Sequence, residues 1–506
     1  MQSEIHHIGV VGSGAMGRGI AQAAALSGAH VVLMDANEET ARSAREAIAK
    51  ALDTEVAKDR LTREKADSAL ERLALTASLA GLKDVDLVIE AITEDLDAKR
   101  SLFAELENAV GADCILASNT SSLSITTLAA ACKQPGRVAG MHFFNPVSRM
   151  RLVEVIQGQR SNPDVIDALE AVGTAMGKQV VRVQDTPGFL VNQVGRGYTL
   201  EAVNLVGEGV ATFEQVDRIM RDAAGFRMGP FELLDLVGLD VNHPATEMIY
   251  AQFYHEPRYR PSPLMDMRVA AGALGRKNQE GYYQYPAEPK ASAQQTEAQP
   301  AAASQPCPVW VSNALPDAGQ AVRELLTGMG VQLDAGDRPG SESLCVVTPI
   351  GRDASHAAAA EQLDPVRTVA IDALFGLTTH RTVMSTCVTG ERWREAAASL
   401  FGLDGIPVTV VRDSPGFVAQ RIVAMIINIG GGLAQARTAT AADIDRAVTL
   451  GLAYPHGPLS FANSLGAANV LRLLQGLYES FCDPRYRPAL WLQRRAVLSL
   501  DFLEGD

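Results

Sequence analysis

Residues 8–35, IGVVGSGAMGRGIAQAAALSGAHVVLMD, decide how the N-terminal part of this chain folds. Ile8–Val11 is a short apolar run of strand character, and Gly12, Gly14 and Gly17 follow it at GxGxxG spacing. An alanine-rich helical stretch comes next, then a second apolar run that ends at Asp35. GxGxxG alone marks many tight turns; between a strand and a helix, with an acidic residue closing the next strand, it marks a dinucleotide site. Gly12 makes the turn, Gly14 lets the backbone approach a pyrophosphate, and Gly17 lets the helix pack closely on the strand. The loop Gly12-Ser13-Gly14-Ala15-Met16-Gly17 then offers helix N–H groups and a favourable dipole to the phosphates. Asp35 would accept hydrogen bonds from the adenosine ribose and repel a 2′-phosphate, which favours NAD over NADP.

Outside that stretch, composition narrows the class. The 506 residues are too many for one compact core and suggest three or four domains. Hydrophobic residues at 47% and charged residues at 21% are ordinary globular values, which exclude a disordered or fibrous chain. Lys+Arg 45 against Asp+Glu 59 leaves a net charge of −14, which disfavours nucleic acid as a partner. Six scattered cysteines show neither a disulfide framework nor zinc-ligand spacing, so no metal is expected and a reducing, cytoplasmic compartment is. No leader is visible, and the most apolar helical run, near Ile422–Leu433, is shorter than the ~20 residues a bilayer demands.

Pro286 to Cys307, PAEPKASAQQTEAQPAAASQPC, holds no aromatic residue and reads as a flexible linker. On either side of it the chain repeats itself. Asp185-Thr-Pro-Gly-Phe returns as Asp413-Ser-Pro-Gly-Phe, Val216-Asp-Arg as Ile444-Asp-Arg, and Gly229-Pro and Gly238 as Gly457-Pro and Gly466, all offset by 228. Pro257-Arg-Tyr-Arg-Pro261 returns as Pro484-Arg-Tyr-Arg-Pro488 at 227. Four matches in register mean a duplicated domain, at a period far too long for a solenoid.

Apolar runs at 5–11, 30–34, 85–89, 114–117, 137–141 and 179–183, separated by helical patterns, predict a parallel α/β sheet. The expected layout is a Rossmann-type NAD-binding domain at 1–185 with a helical hairpin inserted near 37–75, then an all-α domain at 186–285. The linker at 286–307 leads to a degenerate second copy: a weakened α/β domain without a phosphate loop at 308–405, and a second all-α domain at 406–506.

His142 and Glu154 lie twelve residues apart in GMHFFNPVSRMRLVEVI. His142 closes a predicted strand, at the carboxyl edge where ligands bind in open α/β sheets. A carboxylate on one imidazole nitrogen fixes the tautomer and leaves the other nitrogen to exchange a proton with substrate. A lone histidine at a strand end is more often structural; the upstream dinucleotide loop tips the balance. Ser118-Asn119-Thr120-Ser121-Ser122 follows another predicted strand, where a hydroxyl aimed at substrate competes with Ser122 or Ser124 merely capping a helix. Asn192, at the start of the helical domain, could turn its amide back across the cleft.

With these residues in place, the sequence resembles the short-chain L-3-hydroxyacyl-CoA dehydrogenases. The likeness runs over 5–285 through GSGAMG (12–17), EAITEDLDAK (90–99), ASNTSSL (117–123), HFFNP (142–146), LVEVI (152–156), DTPGFLVN (185–192) and GRKNQEGYYQY (275–285). It implies catalysis by His142 and Glu154, with Ser121 and Asn192 holding the reacting oxygen. It also implies NAD contacts at Gly12 to Gly17, Asp35, Glu94, Lys99, Ser121, Asn145 and Lys277, and an acyl-CoA substrate whose CoA lies near Lys58 and Ser121. The two-copy layout resembles longer bacterial members associated with phenylacetate catabolism, which implies 3-hydroxyadipyl-CoA; Arg149 and Arg151 are candidates for its free carboxylate, against a reading as solvated surface. Short-chain 3-hydroxybutyryl-CoA stays open as the substrate. So do a non-enzymatic, crystallin-like NAD-binding role and, more distantly, a phosphogluconate-type dehydrogenase, which would need a catalytic lysine.

Aligned at offset 231, the second copy puts Ala373 against His142 and Ser385 against Glu154, while Gln420 replaces Asn192 at 228. That copy is therefore expected to be catalytically silent. Its helical domain is expected to dock on the first as an intramolecular pseudo-dimer, with a further homo-oligomer open.

Overall fold

The computed structural model describes residues 5–286 and 307–504, so the expected linker at 286–307 lies, but for its two ends, outside the described residues. The strands, in chain order, are β1 His7–Val11, β2 His30–Met34, β3 Leu73–Thr76, β4 Leu87–Glu90, β5 Ile115–Ser118, β6 Val138–Phe143, β7 Leu152–Gln157 and β8 Gln179–Gln184. After the linker come β9 Val309–Val311, β10 Leu344–Val347, β11 Thr368–Ile371, β12 Arg381–Ser385 and β13 Val408–Val411. Helices α1–α6 are Ala15–Leu26, Glu38–Ala57, Arg63–Glu71, Leu96–Ala109, Ile125–Ala129 and Pro163–Ala175. Helices α7–α11 are Val191–Gly207, Phe213–Asp222, Pro230–Val237, Leu239–Gln252 and Pro263–Ala270. Helices α12–α14 are Pro316–Gly328, Ala354–Ala360 and Glu391–Phe401; α15–α19 are Ala419–Gln435, Ala441–Gly451, Pro458–Leu465, Ala467–Phe481 and Leu490–Leu498. Among the described residues no helix is long and apolar enough to cross a membrane.

The chain divides into two compact units, Met1–Gln193 with Ala436–Leu452, and Val194–Gln435 with Ala453–Asp506. The first is built on an eight-stranded sheet of order β3-β2-β1-β4-β5-β6-β7-β8. Strands β4, β5 and β6 are buried at every position, as strands covered on both faces must be. Two features depart from the sequence reading. Three of the four residues of β3 lie within the stretch read as a helical hairpin, which otherwise forms as α2 and α3, capped by Asn37 and Thr62. The sheet is also not wholly parallel: β7 runs antiparallel to β6, and β8 follows β7. The segment from Phe143 to Leu152 is too short for a crossover, which takes a dozen residues or more. Helix α16, from the far end of the chain, packs on β7 and β8, and the Gln184 N–H donates to the Thr438 carbonyl at 2.8 Å.

The second unit holds a five-stranded sheet of order β13-β12-β11-β10-β9. Its last four strands pair parallel, antiparallel, parallel, as β5 to β8 do. The register changes which residues correspond. His142 pairs with Glu154 across β6 and β7. Past the Ile371–Val383 pair, the Asp372 N–H donates to the Thr382 carbonyl, so Asp372 and Thr382 face each other at the same place. The connection is two residues shorter here: the register gives an offset of 230 before it and 228 after it, where one uniform offset of 231 led to Ala373 and Ser385. Asp372 is fully buried, which pushes its carboxyl up to about 6, and it accepts a hydrogen bond from Gln420 at 2.9 Å.

Helices α7 and α15 cross closely in this unit. A Cβ on Gly197 would lie 3.0 Å from Ile429 Cδ1 and 3.3 Å from the Ile426 nitrogen. Tyr198, Phe226, Tyr454 and Phe461 cluster beside the crossing, Phe226 and Tyr454 edge to face with ring centres 4.9 Å apart. Buried Arg421 on α15 binds Glu201 and, through both terminal nitrogens, Glu208 at 2.6 and 2.7 Å.

Candidate functional site

The glycine loop follows β1 as expected. Gly12 adopts φ +99°, and a Cβ there would meet the Ala91 carbonyl oxygen at 2.6 Å. A Cβ on Gly17 would lie 1.8 Å from the Gly12 oxygen, so α1 approaches its strand only through glycine. At Gly14, by contrast, nothing stands within 4 Å. That open backbone begins α1 without a side-chain cap, leaving the first-turn N–H groups free of intrahelical partners. A pyrophosphate fits such a cradle.

Asp35 closes β2 beside this loop and accepts the Ser13 hydroxyl at 2.5 Å and the Ser13 N–H at 3.1 Å. Partial burial alone would raise its pKa, but these bonds and the Asn37 N–H prevail and hold it below the usual carboxylate value. It therefore carries the charge that an NAD-selective site needs.

His142 and Glu154 are neighbours across β6 and β7. His142 Nδ1 lies 2.7 Å from Glu154 Oε2, with the carboxylate fully buried and the imidazole 5% exposed. Glu154 Oε1 accepts the N–H groups of Leu190 and Val191 at 3.2 and 3.0 Å, at the start of α7. Both carboxylate oxygens are thus committed, which offsets the cost of burying the charge and fixes the ring from one side. Phe144 and Phe189 pack against the imidazole, 4.5 and 5.8 Å between ring centres. Nε2 takes no hydrogen bond among the described residues.

The polar loop after β5 is tied to one carboxylate oxygen. Glu94 Oε1 accepts the Thr120 and Ser122 hydroxyls at 2.7 and 2.9 Å, the Ser121 N–H at 2.9 Å and the Ser121 hydroxyl at 3.2 Å. Burial would raise the Glu94 pKa; Lys99, 3.4 Å from Oε2, and these donors together hold it low. Asn192 Nδ2 donates to the Ser121 carbonyl at 3.1 Å, which brings Asn192 and Ser121 together as expected. Ser124, not Ser122, caps α5.

Four residues have roles that the sequence reading did not assign. Glu90, fully buried at the end of β4, accepts Lys99 Nζ at 2.5 Å and the Ser118 hydroxyl at 2.6 Å. Lys99 is therefore committed to carboxylates within the protein. Asn119 Oδ1 accepts the Phe143 N–H at 2.9 Å and pins the strand end that bears His142. Asp185 accepts the Ser124 hydroxyl and the Ile125 and Thr126 N–H groups, and Asp413 anchors α13 in the same way through Ala354 and Ser355. That shared anchoring is what the repeated Asp-Thr/Ser-Pro-Gly-Phe motif does; its signal was the repeat itself. Of the remaining candidates, Asn145, Lys58, Arg149 and Arg151 are exposed in the first unit. Lys277 is exposed in the second unit, where its ammonium is bound to Asp240.

Comparison with known proteins places this geometry in a family. Residues 7–186 match the model of the 3-hydroxyacyl-CoA dehydrogenase NAD-binding domain. Residues 188–285 and 416–499 both match that of the 3-hydroxyacyl-CoA dehydrogenase C-terminal domain. The 3-hydroxyadipyl-CoA dehydrogenase of Escherichia coli K12 is 36% identical over 98% of this chain and 99% of its own. The 3-hydroxybutyryl-CoA dehydrogenase of Mycobacterium tuberculosis is 42% identical over 56% of this chain and all of its own. Among solved structures, a 3-hydroxybutyryl-CoA dehydrogenase from Escherichia coli K12 superposes with a TM-score of 0.84 at 35% identity, covering 98% of this chain and 99% of that one.

Proposed function

Because the chain belongs to the 3-hydroxyacyl-CoA dehydrogenase family and is an NAD-dependent oxidoreductase of that class, we propose that it oxidises the secondary alcohol of an L-3-hydroxyacyl-CoA to the 3-oxo thioester with His142 as base. NAD, when bound, supplies the hydride acceptor. Gly12 to Gly17 cradle its pyrophosphate and Asp35 holds its ribose, with Glu94, Ser121 and Asn145 as further contacts; Lys99 acts through Glu94. Nε2 of His142 takes the hydroxyl proton, and Glu154 stabilises the imidazolium as it forms. The second Asn192 amide hydrogen and the Ser121 hydroxyl, turned from Glu94, donate to the oxygen as it becomes a carbonyl. Lys58 and Ser121 face the CoA. The observation that carries this reading is Glu154, held by His142 on one oxygen and by two backbone N–H groups on the other.

For the acyl group, the near-complete span shared with a 3-hydroxyadipyl-CoA dehydrogenase favours 3-hydroxyadipyl-CoA. A second reading, 3-hydroxybutyryl-CoA, is favoured by the solved structure of equal span that carries that name. Initial rates of NADH formation with the two substrates decide: kcat/KM at least tenfold higher for 3-hydroxyadipyl-CoA is expected, and the reverse order assigns the short chain. Six unpaired cysteines fit a cytoplasmic setting.

The second sheet and helices serve structure rather than catalysis in this reading. Asp372 and Thr382 stand where a base and its carboxylate would be needed, and no glycine loop follows β9. The helical domains form a pseudo-two-fold pair, supported by equivalent residues that meet each other. Phe226 meets Tyr454 edge to face, and Gly197 approaches Met425, both at the repeat offset of 228. Residues near a two-fold axis contact their own copies in this way.

A further inference from the structure

A partly open cavity of about 130 Å³ lies between α7 and the two Pro-Arg-Tyr-Arg segments, bordered by Met425 of α15. Four arginines line it, Arg196, Arg258, Arg260 and Arg485, with Glu201 as the one acidic residue among the lining. Three of them are already balanced. Arg258 pairs with Glu256 at 3.1 Å, Arg260 with Asp483 at 3.2 Å, and Arg485 with Glu208 at 3.5 Å. Glu201 is taken up by Arg421 and by the Tyr486 hydroxyl at 2.6 Å. With Arg421 counted, five arginines meet four carboxylates, and the positive charge left over belongs to Arg196.

Arg196 is 6% exposed, makes no ion pair among the described residues, and its Nε has no hydrogen-bond partner. Burial draws its pKa down to about 10, still far enough above neutrality to keep the charge. A buried, uncompensated guanidinium is costly, and chains rarely keep one without a counter-ion. Nε of Arg258 and of Arg485 are likewise buried without a hydrogen bond.

We propose that this cavity binds a phosphate ion, which neutralises Arg196 and ties the helices of the first helical domain to the Pro-Arg-Tyr-Arg segment of the second. Guanidinium forks match the oxygens of a tetrahedral oxyanion in geometry as well as charge. The volume suits one such ion and a few waters, well below the ~300 Å³ at which pockets begin to take drug-sized ligands. No phosphate chemistry is required of the site; its occupant acts as a counter-ion shared by the two repeats.

The test is thermal unfolding and calorimetric titration of the full chain with inorganic phosphate, at constant ionic strength set by chloride. NAD is held at saturation so that its own phosphates occupy the glycine loop. One saturable equivalent is expected, with Tm rising by roughly 5 °C at a hundredfold excess over Kd. Arg196→Gln should weaken phosphate at least tenfold while leaving the kcat of hydroxyacyl-CoA oxidation within twofold. If Arg196→Gln does not fold, Arg260→Ala, at a half-exposed position, should weaken it at least threefold. Stabilisation no greater than chloride gives, a phosphate response unchanged in the folded variant, or saturation by hexanedioate but not by phosphate would each overturn the proposal.

Discussion

In the proposed mechanism a single carboxylate, Glu154, sets the chemistry of the histidine beside it, and the two residues should fail differently when replaced. His142→Ala removes the base and should lower kcat by ~100-fold or more, with NAD affinity within a few-fold because the glycine loop and Asp35 are untouched. Glu154→Gln keeps an oxygen for the Leu190 and Val191 N–H groups, so the fold should stand while kcat falls and its pH profile shifts. Turnover of His142→Ala above a tenth of wild type would contradict the assignment. Asp35→Ala should raise the NAD KM about tenfold, the worth of a charged hydrogen bond, and relax discrimination against NADP; unchanged preference removes Asp35 from the ribose site. The closeness of His142 to Glu154, and of Asp35 to the glycine loop, was legible because each sits in a motif of recognisable spacing. Glu90 was not, since a carboxylate closing the run Leu87-Val-Ile looks like the end of a strand until Lys99 and Ser118 are seen around it. Asn119 was hidden for a similar reason: its partner is a backbone N–H, which no side-chain pattern reveals.

At the scale of elements, α7 and α15 meet through a glycine on one side and a buried ion pair on the other. Arg421→Met should leave Glu201 buried and short of a counter-charge, costing roughly 3–5 kcal/mol in urea unfolding. The double replacement with Glu201→Leu should recover most of that loss; equal instability of the double variant would mean that Arg421 matters through its packing. Elements were readable from sequence where periodicity was long, as in the strands of 5–183 and the helices of 187–275. The reading failed at β3, only four residues long beside a helix-favouring stretch, and at β7, which lies outside every run read as a strand and runs antiparallel to β6. The residues matched across β6–β7 and β11–β12 were out of register too, because a Val-Ala pair set an offset of 231 where the strands give 230 before the connection and 228 after it.

For the whole molecule, the proposed pairing of helical domains predicts how a shortened chain behaves. Ending the chain at Tyr285 should uncover Gly197, Glu201 and the rings of Tyr198 and Phe226, and the product should dimerise or aggregate. A stable monomer by light scattering would refute the pseudo-dimer. Helix α16 carries a different consequence, for synthesis. Its seat on β7 and β8 is encoded roughly 250 residues after those strands, so the last part of the first sheet leaves the ribosome long before its cover exists. At ~5–20 residues per second the bare surface persists for about ten seconds or more. Through that interval the nascent chain carries a sticky strand edge, the kind of surface that chaperones shield, and the dehydrogenase half becomes whole only as translation ends.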